Sequence, residues 1–202
     1  MEQRRYTEQE LSKLHILSNL MLLAGFLSSL FYSASYPYIY AETVKAVNEK
    51  YLSAEQIISC LGIIVFSALW NKYGNTFFKH YVAILVAEFI ADAILFADVL
   101  IRNDLKFYFL FNVIIYSIIT KNLSCGGVKM RAKINPTEKL RERYDNNSSI
   151  CYATSTLIGA SVAIFIALPL NVLFILALIG GVIDNIFYLY IYKKIKTLEK
   201  IT

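Results

Sequence analysis

Six apolar runs account for most of this chain. They lie at about 15–39, 54–70, 81–101, 107–126, 150–168 and 170–192. Each is close to the ~20 residues that an α-helix needs to cross a hydrocarbon layer of about 30 Å. A soluble domain averages roughly 45–50% apolar and about 25% charged residues. Here 57% of 202 residues are hydrophobic, 17% are charged, and the mean hydropathy is +0.51. So few polar groups cannot cover six such runs in water. The expected fold class is all-α: a polytopic membrane protein with one transmembrane domain over residues 1–202. The second and fifth runs are short, and Pro169 leaves almost no connection between the last two. Five spans with a re-entrant segment is the alternative. The opening "MEQRRYTEQELSK" has mixed charge and precedes a run too long for a signal peptide, so the first run reads as a span.

Basic residues give the orientation, because Lys and Arg accumulate in cytoplasmic segments. The N-terminus, the 71–80 stretch, the end of the fourth run, the 127–149 stretch and the C-terminus hold sixteen of the twenty. Only Lys45, Lys50, Arg102 and Lys106 fall on the other side. Both termini are expected in the cytoplasm of a multi-pass cell-membrane protein. The net charge of +5 then reflects topology, and no stretch has the pattern of a nucleic-acid module. The cysteines Cys60, Cys125 and Cys151 show no CxxC or Cys/His spacing and read as reduced, small apolar residues. No metal or cofactor is expected.

Between the second and third runs stands "SALWNKYGNTFFKHY", 67–81, with the only Trp in the chain. By composition it is a turn between antiparallel helices. Gly74 would allow a tight bend, Lys72 and Lys79 would hold it in the cytoplasm, and the Asn71 amide could cap it. It also resembles the loop between helices two and three of the major facilitator superfamily, G-x-L-x-D-[RK]-x-G-[RK]. Leu69, Lys72 and Gly74 match in register, whereas Ser67, Asn71 and Asn75 stand where the family has Gly, Asp and a base. "YPYIYAETV" (36–44), "LSAEQI" (52–57) and "INPTEKLRERYDNNSS" are similar to further family segments. The resemblance implies one six-helix half of a twelve-helix carrier. It also implies that Asn71, Lys72 and Gly74 form a conformational turn. With Asn in place of Asp, the anchoring contact would be weaker, since a neutral hydrogen bond is worth about half a charged one.

Two helices carry polar stripes. Tyr108, Asn112, Tyr116 and Thr120 recur every four residues, and Ser18, Gly25, Ser29, Tyr32 and Tyr36 share one face of the first run. Polar groups at membrane depth need water or a partner. Ser29, Tyr32, Tyr36, Tyr108, Asn112, Tyr116 and Thr120 are therefore candidates for a substrate cavity. Helices one and four line the cavity in the resembled family. The competing reading is interhelical hydrogen bonding. Ser155, Gly159, Ala163 and Ala167, and likewise Ala83, Ala87 and Ala91, are expected packing faces for close helix approach.

Glu88 and Asp92 lie one turn apart in the third run, roughly 10 and 16 Å along it at 1.5 Å per residue, and Asp184 lies in the sixth beside Asn185. A charge at that depth costs at least about 2.5–3.5 kcal/mol and so faces protein or water. The three are candidates for proton coupling. Against a direct substrate role stands the peripheral place of helices three and six in the resembled family.

No HExxH, GxGD, P-loop or Ser/His/Asp layout occurs, and the two His, His15 and His80, sit at run ends, so an enzyme is not expected. The expected function is a half-size secondary transporter for an unknown small molecule, acting as a homodimer or with a second half. The alternatives are the substrate-binding membrane subunit of a vitamin importer, or a non-transporting regulatory or immunity protein.

Overall fold

The computed structural model describes residues 7–47, 49–102, 105, 111, 117–166 and 168–200. Among these residues there are six helices and no strand: α1 Glu8–Ala46, α2 Glu49–Lys79, α3 Tyr81–Arg102, α4 Ser117–Ile134, α5 Glu138–Phe165 and α6 Leu170–Lys200. α1 starts at a capping box in "TEQE": the Glu10 N–H donates to Thr7 Oγ1 (3.3 Å) and the Thr7 N–H to Glu10 Oε2 (2.9 Å). It runs for 39 residues through Pro37, about 58 Å at 1.5 Å per residue. It therefore outreaches a hydrocarbon layer of about 30 Å. α5 begins at its N-cap Thr137, and the Pro169 carbonyl accepts the first amides of α6, from Val172 and Leu173.

Two stretches read above as connections are helical instead. The 71–80 stretch continues α2 as far as Lys79, and only His80 interrupts the chain before α3. Trp70, Gly74 and Phe78 recur every four residues and are all buried. The stretch is thus one apolar stripe, not a turn. The 127–149 stretch belongs to α4 and α5, with only 135–137 between them. "VKMRAK" and "EKLRER" are good helix formers, while Asn135 precedes Pro136, which disfavours helical backbone.

Helices α1, α5 and α6 are each long and apolar enough to cross a membrane. Segments 60–79 and 81–97 meet that test together, bent by 93° at His80, which makes three spans, or four if the bent pair is one. For α2 and α3 to cross separately, each would tilt by roughly 45°, just past the 0–40° usual for membrane helices. The described part of α4 carries Lys121, Lys129, Arg131 and Lys133, and most of the expected fourth span lies outside the described residues.

α1 packs along α6 and α5, α2 lies against α4, and α3 lies against α6 and α4. All six helices meet in one apolar cluster, including Leu17, Trp70, Phe78, Tyr81, Met130, Tyr144 and Ile191. A second cluster joins Ile39, Leu95, Phe96, Leu173, Phe174 and Ala177. Between the two, each of α1, α3 and α6 carries its polar residues.

Of the expected packing faces, that of α5 is buried: Ser155, Gly159 and Ala163 are all inside, with Ala167 outside the described residues. On α3 only Ala91 is buried, and Ala83 and Ala87 are exposed. The helix turns Leu85, Asp92, Leu95 and Phe96 inward instead.

Candidate functional site

The polar layer between the two apolar clusters is built by three helices. α1 supplies Ser28, Ser29, Tyr32 and Tyr36, α3 supplies Glu88 and Asp92, and α6 supplies Gly181, Asp184 and Asn185. Gly181 is what lets them meet. A methyl group there would stand 2.9 Å from Asp92 Oδ2 and 3.2 Å from the Tyr32 hydroxyl. Gly180 similarly brings α6 within 3.3 Å of the Ser28 carbonyl oxygen, measured from such a methyl. Asp92 is 2% exposed, so its carboxylate is inside the protein.

Two cavities open on this layer. The larger, about 550 Å³, lies between α1 and α5, with Ser29, Tyr32, Tyr36, Tyr152, Thr156 and Asp184 in its walls. The smaller, about 100 Å³, lies between α3, α4 and α6, with Glu88, Thr120, Ser124, Asp184, Asn185 and Tyr188 in its walls. Asp184 lines both. Among the described residues no Lys, Arg or His lines either one.

The expected cavity residues therefore divide. Ser29, Tyr32 and Tyr36 do line the large cavity, and Thr120 lines the small one. Tyr108, Asn112 and Tyr116 lie outside the described residues. Ser18, from the same α1 stripe, faces elsewhere: its hydroxyl donates to Asn135 Oδ1 at 3.1 Å and ties α1 to the α4–α5 connection. The peripheral place that the family resemblance implies for helices three and six does not describe Asp184, which shares a wall with the α1 stripe. Tyr152 and Thr156 were not singled out above. Their spacing of four, one residue off the small-residue face of α5, is the signal that marks them.

At the basic end, Asn71 and Lys72 are exposed and Gly74 is buried. Trp70 Nε1 donates to Asn122 Oδ1 at 2.6 Å, and Lys129 Nζ donates to Asn75 Oδ1 at 2.7 Å, so α2 is tied to α4 at both places. The ammonium groups of Lys129, Lys133 and Lys196 lie 5.9, 5.1 and 5.2 Å from the Phe78 ring centroid. Glu199 receives Lys133 and Lys196. Partial burial, together with the neighbouring Lys133 charge, holds the Lys129 amine below its usual range.

Comparison with protein families, curated proteins and solved structures finds no match to this chain. Its own geometry defines a class: an all-helical protein with several helices able to cross a membrane and a carboxylate-bearing polar layer between two apolar clusters.

Proposed function

We propose that the chain is a half-size secondary transporter of the major facilitator type, with six spans and both termini in the cytoplasm. It works as a homodimer or with a second six-helix half on a small-molecule substrate. The observation that carries this reading is Asp184. One carboxylate is shared between a cavity of about 550 Å³, the size of a small-molecule site, and a pocket of about 100 Å³. A group that faces both can couple occupancy of one to occupancy of the other.

Packing supports the same reading. Exchanging α1 with α4, α2 with α5 and α3 with α6 turns the α1–α6 contact into α3–α4, and the α1–α5 contact into α2–α4. The α3–α6 and α1–α4 contacts map onto themselves, while the weaker α4–α6 and α2–α3 contacts have no principal counterpart. Such a pattern is what two three-helix repeats produce. A partner is called for because the large cavity is open along α1 and α5: Tyr36, Pro37 and Tyr152 are exposed. Polar surface at membrane depth needs protein or water over it.

The mass of the particle solubilised in mild detergent tests this. A homodimer would carry twice the 23.0 kDa of one chain. Cysteines placed at Tyr36 and Thr156 should react with a water-soluble thiol reagent, unlike one at Ile164, which is 72% exposed outside the cavity. A monomer in which positions 36 and 156 are as unreactive as 164 would end the transporter reading.

A further inference from the structure

The geometry points to the small cavity between α3, α4 and α6 as a binding site for one sodium ion, held by Glu88, Asp184, Thr120 and Asn185. The inference deepens the reading of the polar layer as a transport site by naming its coupling ion.

The chemistry of the walls is the first reason. Glu88, Asp184, Thr120, Ser124, Asn185, Tyr81 and Tyr188 present oxygen, and no cationic side chain lines the pocket among the described residues. Two of these oxygens are orphans. Asn185 is 8% exposed, and its Nδ2 donates to the Gly181 carbonyl oxygen at 3.1 Å. The amide's donor side also bonds the Glu88 carboxyl, and its buried Oδ1 has no hydrogen-bond partner among the described residues. Thr120 Oγ1 is buried without one as well. Buried polar atoms nearly always have a partner. An unmatched amide oxygen, an unmatched hydroxyl and two carboxylates in the wall of one pocket can together coordinate a cation.

Size and charge choose among cations. A cavity of about 100 Å³ holds an ion with two or three waters, since a water occupies roughly 30 Å³ in the liquid. A hydrated ion fits that volume more closely than an amine with a long carbon chain. Calcium takes six to eight oxygens, usually with several carboxylates, and magnesium demands octahedral geometry. Among the described residues no cluster of three or more His, Cys, Asp or Glu is arranged to hold a metal. Two carboxylates supplemented by neutral hydroxyl and amide oxygens suit a hard ion of single charge. The alternative occupant is a proton on Glu88 or Asp184. A protonated carboxyl or a water could donate to Asn185 Oδ1, and the Thr120 hydroxyl has a proton of its own, so the comparison of sodium with choline is what separates these occupants from a cation.

The test uses the purified full-length chain in detergent, unfolded by heat in sodium chloride or choline chloride at equal ionic strength. Sodium should raise Tm with the logarithm of its concentration above Kd, by roughly 5–10 °C at about 100-fold excess over Kd. Lithium should substitute in part, and potassium should not. Lowering the pH should weaken sodium through competition for the same carboxylates. Asn185→Leu and Thr120→Val should each remove the sodium response, while Asn75→Ala, at the basic end, should keep it. Where a variant fails to fold, radioactive sodium binding to the unaltered protein, with cold sodium and potassium as competitors, reads the site directly. Equal Tm in sodium and choline across pH 6–8 would overturn the proposal, as would an equal response to potassium or variants that keep the sodium response. Sodium binding without any transport would leave this site standing and remove only the transporter reading.

Discussion

Gly159 of α5 and Leu30 of α1 are in backbone contact: a methyl group on Gly159 would stand 2.5 Å from the Leu30 carbonyl oxygen and 3.0 Å from the Ala34 nitrogen. The atoms in the way are main chain, so they cannot swing aside. Gly159→Ala should destabilise the fold by about 1–3 kcal/mol, the usual cost of overpacking, and Gly159→Leu should separate α5 from α1. Thermal unfolding in detergent measures the first. The second should also break the 3.0 Å bond from the Tyr38 hydroxyl to the Ala163 carbonyl, read as a lower Tm than that of Gly159→Ala. An unchanged Tm for Gly159→Ala would mean that the helices do not cross here.

Trp70 is the only Trp in the chain, so its fluorescence reports on one bond. Its indole donates to Asn122 across the α2–α4 contact, and the residue is 8% exposed. Asn122→Leu should leave the N–H unsatisfied at a cost of about 1–3 kcal/mol. Its emission should shift to shorter wavelength, since a polar neighbour has been removed. Trp70→Phe removes both problems and should cost less than Asn122→Leu. The reverse order would show that the indole is held by packing alone.

Topology follows from the distribution of basic residues. In a background without Cys60, Cys125 and Cys151, a cysteine at Asn103 should react from outside with an impermeant thiol reagent. A cysteine at Lys139, two residues into α5 and exposed, should react only after the membrane is opened. Labelling of position 139 in intact cells would invert the orientation.

Lys129 gives a pH dependence with a definite sign. Its amine titrates below its usual range because it is partly buried and Lys133 is near. The folded state therefore holds this proton less tightly than the unfolded chain, where Lys titrates near 10.4. Charged Lys129 destabilises the fold at neutral pH. That penalty fades as the pH rises through the interval between the lowered folded value and about 10.4. The original protein should gain stability relative to Lys129→Met over that interval. The slope is the readout, because loss of the bond to Asn75 only offsets the curve. Lys133, Lys196 and Glu199 are present in both proteins, and the loss of their coupling to Lys129 is part of the measured difference.

Asn71→Asp tests the family resemblance. Asn71 is exposed on the continued helix and makes no hydrogen bond among the described residues. If the carboxylate only adds an exposed charge, stability should change by less than about 0.5 kcal/mol. An altered reactivity of cysteines at Tyr36 and Thr156 would instead show that position 71 biases the shape of the cavity.

Much of the architecture is readable from residue order alone. Apolar runs near the length of a bilayer and the small-residue period of Ser155, Gly159 and Ala163 are local properties. A one-dimensional pattern carries them in full. The one-turn spacing of Glu88 and Asp92 is also local, because it needs only a count along a helix.

Helix ends were less legible. Gly74 and the basic stretch around Pro136 look like turns, because composition cannot show that a glycine has a flat neighbour to pack on. Gly74 remains helical since Trp70 and Phe78 share its face and α4 covers that face. What only the tertiary structure decided is which polar residues meet. Asp184 lies more than ninety positions from Glu88 and about one hundred and fifty from Tyr32. Their convergence depends on Gly180 and Gly181 allowing α6 to press against α1 and α3. A side chain's partners across a helix interface are set by crossing angle and closest approach, and neither is written in the period of a single helix.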